Sequence, residues 1–116
     1  MAIRSARYLA VAVLLSLAPV QATLAQAQSG IGYVTQVNTG WGNDVFSVTV
    51  NSTFANPAGC PNTDAYLASV DQAGYKTYYA AALAAFMTSS RVSVTVSNTV
   101  CNQGRPEIVG ISVMSS

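Results

Sequence analysis

Hydrophobic and polar positions alternate along several short segments of the chain, which turn-forming residues separate. Alternation with a period of two is typical of strands that bury one face. It predicts a strand over 31–38, a second strand over 45–50 and a short third strand over 65–70. The first two strands are expected to pair as a hairpin. The connection over 51–63 contains prolines and cannot continue a ladder of backbone hydrogen bonds, so it is predicted to be a long loop.

The period changes to that of a helix at Tyr75. From there, apolar side chains recur at intervals of three and four residues, which places them on one stripe of a helix. The stripe comprises Tyr75, Tyr78, Tyr79, Ala82, Leu83 and Phe86. The alanines between the larger side chains raise helix propensity and let a sheet approach closely. The segment is therefore predicted to be a helix that covers a sheet and ends at Thr88-Ser89-Ser90.

Strand-like alternation returns after the helix. It predicts a fourth strand over 91–97, a polar loop over 101–106 and a fifth strand over 108–113. The positions expected on the apolar faces are Val92, Val94 and Val96 in the fourth strand and Val109, Ile111 and Val113 in the fifth. Ser93, Thr95 and Ser97 are expected to point outward. Together the elements predict a mainly β domain with one helix, a small curled antiparallel sheet of five strands in the order β-β-β-α-β-β.

The amino-terminal segment has the pattern of an export signal. Arg4 and Arg7 precede an apolar run over 9–20, and small residues follow at the positions that a signal peptidase requires. The apolar run is about 12 residues long, whereas a helix that spans a membrane needs roughly 20. A removed signal peptide, cut after Ala25 or Ala27, is therefore predicted.

Removal of residues 1–27 would leave 28–116 as a single domain of a bacterial protein that is secreted or periplasmic, with no membrane span. It would also remove two of the five basic residues, so that the net charge of the domain becomes about −1. A chain with so little charge offers no basic face to a phosphate backbone. Nucleic acid is therefore not expected as a partner.

Two cysteines, Cys60 and Cys101, lie in the predicted domain. In an oxidising compartment an even pair is expected to form a disulfide, and their wide separation argues against a C-x-x-C redox pair. Because the chain contains no histidine, a zinc site would have to use thiolates and carboxylates alone. The sequence therefore predicts one structural disulfide, no metal site and no cofactor.

Catalytic signatures are absent from the sequence. A serine nucleophile needs a base, the chain has no histidine, and no Gly-x-Ser-x-Gly motif is present. A carboxylate pair drawn from Asp64, Asp71 and Glu107 would suit glycoside hydrolysis, but these residues are better explained as surface and turn carboxylates. The protein is expected not to be an enzyme.

The loop between the first two strands is the best candidate for a binding surface. Trp41 lies between two glycines of this loop, close to Thr39, Asn43 and Asp44. An exposed indole stacks on the apolar face of a sugar, while amide and carboxylate groups bond its hydroxyls. Alternatively, Trp41 folds back over one end of the sheet and anchors the loop. The tyrosines of the helix are open to the same two interpretations, packing or ligand contact.

Several features of the chain resemble those of a known protein family. They are the order of the elements, the apolar patterns of 78–86 and 91–96, Cys101, and the hydrophobic end over 108–113. With them, the chain resembles small exported bacterial proteins similar to the B subunit of subtilase-type AB5 toxins. This resemblance implies an OB-like barrel and a ring of five subunits that binds cell-surface glycans. Those toxin subunits hold a sialylated sugar with a serine in the loop after the first strand. Here the loop reads Asn-Thr-Gly-Trp over 38–41, so sialic-acid specificity is not expected.

Two classes of function follow from the sequence. In the first, the protein is an exported, non-enzymatic binding module that presents Trp41 and its polar neighbours to a glycan or a protein partner. It is then expected to be a homo-oligomer, and a pentamer if it is like the toxin subunits. In the second, it is a monomeric periplasmic or secreted protein with a structural or inhibitory role. Such a monomer would contact its partner through an open sheet edge.

Overall fold

The computed structural model describes residues 26–40 and 42–115. These residues form six strands and one helix. In chain order the elements are β1 (Gln26–Gln28), β2 (Gly32–Thr39), β3 (Val45–Val50), β4 (Tyr66–Ser69), α1 (Tyr75–Thr88), β5 (Arg91–Asn102) and β6 (Arg105–Met114). The protein is therefore mainly β with one helix, as predicted. The predicted export signal lies outside the described residues, apart from its last two positions.

The six strands form one sheet in the order β1-β5-β2-β3-β4-β6, and β6 also pairs with β5. The pairings of β5, β2, β3, β4 and β6 therefore close into a circuit. The sequence predicts an antiparallel sheet, but β4 and β6 are parallel, with Leu67 opposite Glu107. The reason is that α1 and β5 both intervene between β4 and β6, so that β6 runs in the same direction as β4.

The sequence analysis predicts five strands, and β1 is the additional one. It pairs with 95–97 of β5, beyond the point where β2 leaves that edge. Ser29 continues the contact, because its hydroxyl accepts a hydrogen bond from the backbone N–H of Val94 at 2.9 Å. The sequence Gln-Ala-Gln carries no apolar alternation, so only the free edge of β5 makes it a strand. Of the two predicted cleavage positions, the one after Ala25 leaves β1 whole.

The predicted polar loop over 101–106 is wrong, because β5 and β6 continue through it as a tight hairpin. The ladder runs as far as the pair Asn102 and Arg105. Gln103 and Gly104 form the turn with φ values of 50° and 79°. Positive φ at both central positions is what a two-residue type I′ turn requires, and its twist matches that of the strands it joins.

The core lies between the sheet and the helix. Val92, Val94 and Val96 are completely buried, as predicted, together with Phe46 and Ile108. The prediction that Ser93 and Ser97 point into solvent is wrong, since both are buried. Ser93 Oγ donates to the carbonyl oxygen of Ser29, and Ser97 Oγ accepts from the backbone N–H of Val100. These hydroxyls are satisfied within the fold, which allows both faces of β5 to be covered.

Helix α1 contacts the sheet through small residues. Ala82 and Ala85 are its buried side chains, and Tyr75, Tyr78 and Tyr79 are half-buried against the core. Leu83 and Phe86 belong to the predicted buried stripe, yet they are 39% and 44% exposed. The helix sits close to the sheet over its alanines, so the contact face is rotated away from these larger side chains.

The predicted disulfide between Cys60 and Cys101 is present, with a Cα–Cα distance of 5.7 Å. It joins the long connection before β4 to the far end of β5. Asn56 braces this connection, because its side chain donates to the carbonyl oxygen of Cys60 and accepts from the backbone N–H of the same residue. Within 26–40 and 42–115, no helix has the length and apolar character that crossing a membrane requires.

Candidate functional site

A pocket of about 460 Å³ lies where the loop between β2 and β3 meets the start of α1. Its lining comprises Thr39, Gly40, Asn43, Asp44, Val45, Tyr75 and Tyr79. Three of the four candidate binding residues, Thr39, Asn43 and Asp44, thus lie around one cavity. The fourth, Trp41, lies outside the described residues.

Glycines shape the loop side of the pocket. Gly40 and Gly42 have φ values of 100° and 85°, a region that side-chain-bearing residues rarely adopt. The loop is closed by two backbone hydrogen bonds, from Gly40 N–H to the carbonyl oxygen of Val45 and from Val45 N–H to that of Asn43. This tight closure places the Asn43 and Asp44 side chains next to the helix.

Aromatic side chains form the helix side of the pocket. The ring of Phe46, which is completely buried, lies 5.5 Å from the ring of Tyr75 and 5.4 Å from that of Tyr79, centroid to centroid. Tilted and edge-on pairs at such distances are favourable beyond the area that they bury. Phe46 therefore fixes both tyrosines from below, while part of each remains available to the pocket.

A hydrogen bond joins the loop to the helix across the pocket. The Tyr75 hydroxyl donates to Asp44 Oδ1 at 2.6 Å. Burial of the phenol, then this hydrogen bond and the negative charge of Asp44, raise the pKa of Tyr75 to about 12. The backbone carbonyl of Asp44 also accepts from Val70 N–H at 3.0 Å, so Asp44 is held from two directions.

Several polar groups around the pocket remain available to a ligand. The Thr39 hydroxyl, the Asn43 amide, Asp44 Oδ2 and the Tyr79 hydroxyl make no hydrogen bond with any other described residue. They supply both donors and acceptors beside aromatic rings. The arrangement suits a small polar ligand with an apolar face.

The other carboxylates that the sequence analysis considered are engaged in structural contacts. Asp64 binds Arg105 through both oxygens, at 2.8 and 3.0 Å, and this contact lowers the pKa of Asp64. Asp71 accepts a hydrogen bond from the Ser69 hydroxyl at 2.6 Å, and Asn102 donates to Glu107 at 3.3 Å. Among the described residues, no three His, Cys, Asp or Glu side chains form a group that could hold a metal ion.

The sequence indicated the loop side of the site more clearly than the helix side. The spacing of Tyr75 and Tyr79 explained them as members of a buried stripe and left ligand contact as an alternative. Their place at the pocket depends on how α1 folds back over the loop, which no local pattern reports. Asp44 and Tyr75 are 31 residues apart in the sequence, so no local pattern predicts the hydrogen bond between them.

Comparisons with known proteins give no relative for this chain. No protein-family model matches it, and no curated protein or solved structure is significantly similar to it.

The raised pKa of Tyr75 predicts a loss of stability at high pH. The pKa of Tyr75 is about 12 in the folded state, above the ordinary value of 10.0. The contribution of Tyr75 to stability is therefore fully present below pH 10 and is lost as the pH rises towards 12. Thermal unfolding of the wild type should therefore shift to lower temperature across this window more steeply than that of Tyr75→Phe. Equal slopes for the two proteins would contradict a raised pKa of Tyr75 in the folded state.

Proposed function

We propose that this protein is an exported, non-enzymatic binding module whose pocket between the β2–β3 loop and α1 holds a carbohydrate. The observation that carries the proposal is the combination of two tyrosine rings with a free hydroxyl, amide and carboxylate oxygen around one cavity of about 460 Å³. Cavities of this size are typical of small-molecule sites. The disulfide is compatible with an oxidising compartment outside the cytoplasm.

Sugars match this lining chemically. One face of a pyranose ring exposes C–H groups, which pack against an aromatic ring, while its edge carries hydroxyls that donate and accept hydrogen bonds. Tyr75 and Tyr79 offer the aromatic surface, and Thr39, Asn43 and Asp44 offer the polar partners. Trp41 belongs to the same loop and is proposed as a further stacking residue.

An OB-like barrel related to the toxin B subunits is the finer architecture that we propose. Its support is the closed circuit of five strand pairings, with the helix between the third and fourth of those strands. A homo-oligomer, a pentamer if the relationship holds, is proposed with it. Phe86 and Met87 on α1 are 44% and 74% exposed, and a second copy of the chain would cover such apolar side chains.

The monomeric alternative has a smaller structural basis. Among the described strands, β1 is the one that pairs on a single side, and it offers an edge of three residues to a partner strand. So short an edge supports little β-strand addition. Native mass spectrometry separates the two proposals, since detection of the monomer mass alone would contradict the proposed oligomer.

A glycan array tests the carbohydrate proposal. The double variant Thr39→Ala/Asn43→Ala removes two exposed polar side chains from the pocket, and Asn62→Ala/Thr63→Ala removes the same pair of residue types from an exposed loop elsewhere. We expect glycan binding by the wild type and the control, and a loss of roughly tenfold or more in the pocket variant, since each lost hydrogen bond costs about 1 kcal/mol. No bound glycan, or equal binding by all three proteins, would refute the proposal.

A further inference from the structure

The charge of the pocket indicates which class of sugar it binds. This inference rests on the proposed function. Among the described residues that line the pocket, Asp44 is the only charged one, and no lysine or arginine is present. We propose that the preferred ligand is an amino sugar with a free, protonated amine, and that the ammonium group binds at the Asp44 carboxylate.

Asp44 is oriented for this task before any ligand binds. The Tyr75 hydroxyl occupies Oδ1, the Val70 N–H holds the backbone carbonyl, and Oδ2 has no partner among the described residues. A carboxylate that is already fixed loses little conformational freedom when it binds a cation. Its free oxygen can accept one of the three N–H donors of an ammonium group.

The tyrosine rings add to the attraction for a cation. Ring faces of Tyr75 and Tyr79 carry partial negative charge, which attracts a cation that lies within about 6 Å of a ring centre. The pairing of these rings with a carboxylate favours an ammonium group over an acetylated amine, which has no charge. A sugar with its own carboxylate would meet the like charge of Asp44 without a cation in the lining to offset it.

The hydroxyl and amide groups favour an amino sugar over a simple alkylammonium ion. A choline-like ligand offers no hydrogen bond to Thr39, Asn43 or Tyr79, whereas the hydroxyls of a sugar can bond to them. Lys76 follows Tyr75 on α1 but does not line the pocket. The carboxylate therefore dominates the local field that a ligand meets.

Titration calorimetry with two matched probes tests the inference. One is the trisaccharide of β-linked glucosamine, and the other is its fully N-acetylated form, both in mildly acidic buffer of low ionic strength. We expect the wild type to bind the free-amine form roughly tenfold more tightly, and added salt to reduce the difference. Asp44→Asn keeps an acceptor for the Tyr75 hydroxyl and should abolish the preference.

Asp71→Asn is the matched control, since Asp71 is also exposed and also accepts a hydroxyl hydrogen bond, but it lies outside the pocket. It should keep the preference of the wild type. Equal affinity of the wild type for both trisaccharides, or a preference retained by Asp44→Asn, would overturn the inference while leaving the carbohydrate proposal in place. If choline chloride competes for the pocket as well as glucosamine does, the inference that the ligand is a sugar would be overturned. If neither trisaccharide nor any glycan on the array binds, the proposed function itself fails.

Discussion

Loss of the Cys60–Cys101 disulfide should destabilise the folded protein by roughly 4 kcal/mol. The bridge spans a sequence separation of 41 residues, and closing a loop of that length restricts the unfolded chain by about this amount. A domain of this size has a total stability of only about 5–10 kcal/mol, so the loss is a large share of it. Denaturant unfolding of Cys60→Ala/Cys101→Ala against the oxidised wild type measures the difference.

Cys60 is buried, and it ties the irregular connection before β4 to the end of β5 next to the tight turn. The wild type under reducing conditions serves as the control, because it keeps both side chains. It should unfold at nearly the same denaturant concentration as the double variant. A change below about 1 kcal/mol in both would contradict a stabilising role for the bridge.

Phe46→Ala should cost roughly 3–5 kcal/mol and should also impair the pocket. Phe46 is completely buried, and its ring contacts two tyrosines of the helix, Tyr75 and Tyr79. Its removal leaves a cavity beneath Tyr75 and Tyr79, which then lose the support that fixes their rings. Denaturant unfolding measures the stability, and near-ultraviolet circular dichroism reports the order of the tyrosines.

Phe86→Ala is the control for Phe46→Ala, because it removes the same atoms from a side chain that is 44% exposed. In dilute protein it should cost less than about 1 kcal/mol and leave the near-ultraviolet spectrum unchanged. Similar losses for the two variants would show that the ring of Phe46 has no special place in the core.

Local patterns of apolar residues predicted the bounds of β3 and the start of α1. The sequence Val-Phe-Ser-Val-Thr-Val gives β3 the bounds that the structure shows, and α1 begins at Tyr75 as predicted. The hairpin between β5 and β6 was missed because Gln103, a residue with a side chain, takes a positive φ there. β1 was missed because its pairing depends on the free edge of a strand about 70 residues later.

The candidate site shows the same division between local and tertiary information. The sequence alone predicted a glycine-rich loop with polar residues at Thr39, Asn43 and Asp44, since turn formers and exposed polar groups are local features. The contribution of Tyr75 and Tyr79 could not, because their ring positions depend on Phe46 below them and on the rotation of α1 over its alanines.

The most direct test of a carbohydrate pocket between the β2–β3 loop and α1 is a nuclear magnetic resonance titration. Isotope-labelled protein would be mixed with the glycan that gives the strongest signal on the array, and the backbone amide shifts would be followed. We predict that the largest changes cluster at Thr39, Gly40, Asp44, Tyr75 and Tyr79, which line the cavity. Changes confined to β1, to the exposed end of α1 or to no region at all would contradict the assignment of this pocket as the binding site.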